Sequence, residues 1–178
     1  MTDAFALLGL PRRAALDEAQ LQAAWHEKSR AAHPDTAGGD AALAADINAA
    51  HEILGSPEKR LKHLLELNAV PWRAIPLSAD WMELFSQTGT ALQSAAALVK
   101  KKQAASSALA RALLAPQEMR LREQIEALNE NLETRRAALL AGLPAIEDDL
   151  TALQAAQASF AYLGKWQAQL REALLTLM

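Results

Sequence analysis

Large apolar residues in the second half of the chain recur at three- and four-residue steps, which constrains its fold more than any other feature. Leu121, Ile125, Leu128, Leu132 and Leu139 form one series. Ile146, Leu150, Leu153, Phe160, Leu163, Trp166, Leu170, Leu174 and Leu177 form another, and Gly142 and Pro144 stand between them. That spacing places each series on one face of a helix. A third helix is expected from near Ser78, carrying Trp81, Met82, Leu84 and Phe85, with Thr88-Gly89-Thr90 as a weak point inside it. Three amphipathic helices with short connections imply an antiparallel bundle. Ser106-Ser107 and Ala115-Pro116 both qualify as the break between the first two.

The first half carries several short helices instead. Ala4 to Gly9 is a short apolar turn closed by Gly9-Leu10-Pro11. Asp17, with Gln20 three residues on, opens a second helix in which Leu21, Ala24, Trp25 and Lys28 share a face. Pro34 stops it, since its ring disfavours helical geometry in the preceding residue. Asp40 caps a third helix with Leu43, Ile47, Ala50 and Leu54 at helical spacing, and Gly55 fits its C-terminal cap. Ser56 and Pro57 are the N-cap and first residue of a fourth, which carries Leu61, Leu64 and Leu65 and fades at Asn68. Residues 69–77 hold two prolines and no helical period, so they form a linker, one that Trp72 and Ile75 pin to a neighbour. The expected organisation is residues 1–68, a linker at 69–77, and a helical bundle at 78–178.

Composition narrows the function classes. Hydrophobic residues make up 51% of the 178, but aromatics only 4%, so alanine and leucine dominate and an all-α protein is expected. With no cysteine, the chain has no disulfide, thiolate zinc site or cysteine-held cluster of its own. No apolar stretch approaches the roughly 20 residues that cross a bilayer, and the N-terminus lacks the basic start of a signal peptide. A cytoplasmic location and no membrane partner are therefore expected. A net charge of −3 argues against a nucleic-acid partner. Charge is uneven: residues 1–68 hold 7 basic and 10 acidic residues (7 − 10 = −3), while residues 69–178 hold 11 of each. Lys100-Lys101-Lys102 is expected to be a solvated helix face. His51-Glu52 lacks the second histidine of a metal-binding helix, so His51 is expected to be structural.

Between the second and third helices stands His33-Pro34-Asp35, followed by the Gly-rich stretch Thr36-Ala37-Gly38-Gly39. The third helix ends in Ile47-Asn48-Ala49-Ala50-His51-Glu52-Ile53-Leu54, and Ser56-Pro57-Glu58-Lys59-Arg60 follows. Over residues 2–66 this order resembles the J-domain, the module that stimulates ATP hydrolysis by heat-shock-70-type chaperones. Trp25 lies where J-domains carry an aromatic core residue, and His51 takes the aromatic position of the third-helix pattern. The resemblance implies that His33, Pro34 and Asp35 dock on the chaperone ATPase, with Lys28 and Arg30 in support. Asp35 would then make a charge-assisted hydrogen bond to an arginine there.

A narrower likeness is to HscB-type co-chaperones, which serve iron–sulfur cluster assembly. It rests on Leu8-Gly9-Leu10-Pro11, Arg30 before His33, the apolar continuation Leu61-Lys62-His63-Leu64-Leu65-Glu66-Leu67, and overall length. It implies an L-shaped protein whose bundle binds an iron–sulfur scaffold protein through Met82, Glu83 and Tyr162. The family continues that strip with glutamates and leucines, where this chain has Leu84-Phe85-Ser86-Gln87-Thr88-Gly89. Its second helix is also poorly basic, which implies little electrostatic steering. The expected role is that of a co-chaperone with no catalytic residues, cofactor or metal site of its own. Two alternatives stay open: a J-protein for another client, and a structural adaptor with weak or no ATPase stimulation.

Overall fold

The computed structural model describes residues 2–33, 40–76 and 78–177. Among them are eight α-helices and one 3-10 turn, with no strand. The helices are α1 (Ala4–Leu8), α2 (Glu18–Ala32), α3 (Ala41–Gly55), α4 (Pro57–Leu67), α5 (Ala79–Ala104), α6 (Ala108–Ala112), α7 (Ala115–Gly142) and α8 (Leu150–Leu177), with the turn at Leu143–Ile146. The all-α expectation holds. Both candidate breaks after α5 are used: α5 ends before Ser106-Ser107, α7 starts at Ala115, and the short α6 lies between.

Helix ends follow the capping residues. Asp17 accepts from the Gln20 N–H, Asp40 from those of Ala42 and Leu43, and Ser56 from that of Lys59. Gly9 closes α1 at φ 69°, with Gly9 N–H donating to Ala6 O and Leu10 N–H to Phe5 O. Gly55 is not such a cap, because it is the last residue of α3 and Ser56 ends that helix while starting the next. The left-handed position after α4 falls to Ala69, at φ 52°. Ala69→Gly is expected to stabilise the protein by up to about 1 kcal/mol. The left-handed penalty of roughly 1–2 kcal/mol for an L-residue exceeds glycine's added entropy cost of about 0.5–1 kcal/mol. A urea titration checks this.

Two compact units result, neither continuous in sequence: Met1–Ile75 with Leu139–Phe160, and Pro76–Ala138 with Ala161–Met178. In the first, α1, α2 and α4 all pack on α3 or its neighbours around Phe5, Leu8, Leu21, Ile47, Leu54 and Leu61. Leu143, Leu153, Ala156 and Phe160 complete that core, although periodicity alone groups Leu153 and Phe160 with the later bundle. Glu147 accepts the Ala14 N–H at 2.9 Å, and Gln154 donates to Pro71 O at 3.0 Å. The linker is thus held through Pro71 and the packed Val70. Trp72 is not the anchor, being 83% exposed, and Leu43 turns outward at 40%.

The second unit is built by α5, α6, α7 and the later part of α8 around Leu84, Leu98, Ile125, Leu132, Leu163, Trp166 and Leu170. Lys102 near the end of α5 pairs with Glu118 near the start of α7, which therefore runs back along α5. Glu133 accepts from Gln167 at 2.7 Å, tying α7 to α8.

Candidate functional site

The α2–α3 hairpin positions the loop that carries His33. Trp25 stacks on His51 with ring centroids 4.5 Å apart, and its Nε1 donates to Asn48 Oδ1 at 2.9 Å. One aromatic on α2 thus grips two residues of α3, giving Asn48 a structural task that its sequence pattern alone did not reveal. His51 is half-buried in this contact, as a structural residue. At the open end of the hairpin, Asp40 N–H donates to Ala32 O at 3.2 Å and draws the two helix ends together across the loop. His33 sits outside that closure. It is the C-cap of α2, extended at φ −60° and ψ 132°, and its side chain is exposed. That geometry is what a following proline enforces. Pro34 and Asp35 lie outside the described residues.

The two supporting cations differ. Arg30 is exposed in the last turn of α2, where a positive charge complements the helix dipole. Lys28 is half-buried, and its Cε lies 4.0 Å from where a side chain on Gly9 would begin. Its stem therefore covers the end of α1 as well as carrying charge.

Two buried polar groups lock the elements under this hairpin, and the sequence reading assigned neither. Arg60 on α4, 6% exposed, donates to Ala14 O at 2.8 Å and to Leu54 O at 2.5 Å. His63, 4% exposed, accepts the Ala4 N–H on Nε2 at 3.0 Å. Asp3 caps α1 by accepting from Phe5 and Ala6 N–H and pairs with Arg12 at 2.6 Å. Burial pushes its carboxyl up, but the Arg12 hydrogen bond and charge and the two backbone N–H groups outweigh burial and hold it below the ordinary value of 3.8. A depressed folded-state pKa means that this stabilisation is complete above the ordinary value and fades as pH falls through the lower one. Asp3→Ala is expected to cost about 1 kcal/mol at neutral pH, typical of a lost N-cap, and less in strong acid. Urea melts across pH check both.

In the second unit, Trp166 is 3% exposed and ringed by Trp81, Phe85 and Tyr162 at centroid distances of 5.9, 6.3 and 5.7 Å. Tyr162 stacks on it and is half-buried. Phe85 is 54% exposed and Met82 50%, so aromatic and thioether surface is open to solvent beside this cluster. Glu83 is exposed and accepts from Gln87 Nε2 at 3.0 Å. One turn further along α5, Ser86, Gln87, Thr90 and Ser94 face Gln124 and Asn131 of α7 across an open groove of about 520 Å³ that no charged side chain lines. Local sequence does not place Gln124 and Asn131 on this face, because the α5–α7 pairing is tertiary.

No family model matches the chain. It is 42% identical over 76 residues to a co-chaperone protein HscB homolog of Chromobacterium violaceum, covering 38% of this chain and 43% of that protein. The likeness is to HscB-type co-chaperones. A homolog of HscB from Azoarcus sp. is 36% identical and HscB of Proteus mirabilis 33%, each over 76 residues. The matched stretch spans less than half the length of each of these relatives. The structure of chaperone HscB from Vibrio cholerae superposes with a TM-score of 0.62, covering 99% of this chain and 100% of that one at 20% identity. The HscB-type fold therefore extends over the whole chain, while the sequence likeness covers only part of it.

Proposed function

We propose that this chain is an HscB-type J-domain co-chaperone. It accelerates ATP hydrolysis by a heat-shock-70-type chaperone through the His33-Pro34-Asp35 loop and presents an iron–sulfur scaffold protein on the face around Met82, Glu83 and Tyr162. The observation that carries this is His33: exposed, extended, and placed at the open end of a hairpin whose shaft is locked by Trp25, Asn48 and His51. A hairpin shaft locked in this way need not reorganise when its open end docks, which spares entropy. Exposed Met82 and Phe85 beside Tyr162 supply the apolar and aromatic anchors typical of binding hot spots.

Titration calorimetry of the full chain against the iron–sulfur scaffold protein of the same organism tests the client half. Saturable binding is expected, weakened about tenfold by Met82→Ala or Tyr162→Ala, a loss of about 1.4 kcal/mol. With a neutral groove beside these residues, the affinity is expected to change little with salt. No heat from a folded chain would remove the iron–sulfur part of the proposal. One observation favours a second reading, a J-protein for another client: the neutral Ser86, Gln87 and Thr88 stand where the resemblance implies an acidic strip.

A further inference from the structure

One end of the second unit carries charge and apolar side chains that the proposed client face does not use. From Leu84 to Gln117 the chain has no acidic residue and four basic ones, Lys100, Lys101, Lys102 and Arg111. Lys102 pairs with Glu118 at 2.8 Å and donates to Leu177 O at 2.7 Å, so α5, α7 and α8 meet at this end. Arg111 Nε donates to Ala105 O at 3.1 Å, folding α6 against the end of α5. Lys100, Lys101, Arg111 and Arg120 are all exposed.

The short α6 buries none of its residues. Leu109 on α6 and Leu113 at its C-cap, one helical turn apart, are 72% and 73% exposed, and Met119 at the start of α7 is 63% exposed. A helix of five residues is marginal in water by itself. One that leaves its leucines in solvent gains nothing from the core behind it. Apolar side chains rimmed by exposed cations are the pattern of a segment that lies in a lipid interface.

We infer that this end of the protein docks on an anionic lipid surface. Leu109 and Leu113 enter the boundary between headgroups and acyl chains, while Lys100, Lys101, Arg111 and Arg120 face the lipid phosphates. A protein partner fits less well: the patch has no aromatic residue to act as an anchor, and lysine, which protein interfaces disfavour, supplies two of its four exposed cations. The leucines also protrude, for the cavity at this end is lined by Val99, Lys102, Gln103, Arg111 and Thr176. Among the described residues no helix is long and apolar enough to cross a membrane, so the association is with the surface. With a net charge of −3 on the whole chain, the positive end also orients the approach. The inference is independent of the proposed co-chaperone activity.

Sedimentation of the full chain with vesicles tests it, using phosphatidylcholine alone and an equal mixture of phosphatidylcholine and phosphatidylglycerol. Binding is expected only to the anionic mixture. It should fall about tenfold or more in Leu109→Ser/Leu113→Ser and, separately, in Lys100→Glu/Lys101→Glu. All four side chains are exposed, so circular dichroism should show an unchanged fold. Equal binding by the leucine variant would overturn the inference by reducing the attraction to charge alone. Failure of the parent chain to sediment would also overturn it, and would point to an acidic protein segment as the occupant.

Discussion

His33→Gln is expected to return the ATP hydrolysis of a heat-shock-70-type chaperone to its basal rate while leaving the helical fold unchanged. The side chain is exposed and lies beyond the last residue of α2, so removing its ring empties no cavity and breaks no helix. Glutamine keeps polarity and approximate size, which confines the loss to the imidazole itself. Arg30→Ala should weaken the response less, since a rim charge acts mainly on the association rate. Single-turnover hydrolysis, with circular dichroism as the control for folding, reads both. Equal stimulation by the His33→Gln variant and the parent would end the proposed docking role for this loop.

Phe160→Ala is expected to destabilise the first unit by about 3–5 kcal/mol, the cost of emptying a fully buried aromatic site. Phe160 is 0% exposed and packs with Leu143, Leu153 and Ala156 in the same core as Phe5, Leu8 and Leu61. A loss of that size is a large share of the 5–15 kcal/mol that holds a typical domain together. The midpoint in urea should fall, and amides of α1 and α4 should lose protection against hydrogen exchange. A loss near 1 kcal/mol, with α1 and α4 still protected, would show that this unit does not depend on residues 139–160.

That dependence is not written in the local sequence. Helices and most of their caps are legible because each is written locally: Asp17, Asp40 and Ser56 cap helices as their positions suggest. Leu153 and Phe160 look like bundle core in the sequence because the apolar period continues through α8. Periodicity says that a face is buried, not against what. The size of Trp72 suggests an anchor, whereas the chain is held there by Pro71 O and Gln154, a hydrogen bond between residues far apart in sequence. Arg60 and His63 were invisible for the same reason, since their partners are backbone groups of other elements. On the candidate client face, Met82 and Tyr162 were legible by likeness to the family. The groove that Gln124 and Asn131 complete was not, because it exists only once α7 folds back on α5.

The proposed function requires that this chain couple to a chaperone's ATPase. The decisive measurement is single-turnover ATP hydrolysis by the heat-shock-70-type chaperone of the same organism, titrated with the unaltered chain. The rate should rise saturably with chain concentration and rise further when the iron–sulfur scaffold protein is added. A rate that stays at its basal value while calorimetry shows the chain and chaperone bound would contradict the account and leave a structural adaptor in its place.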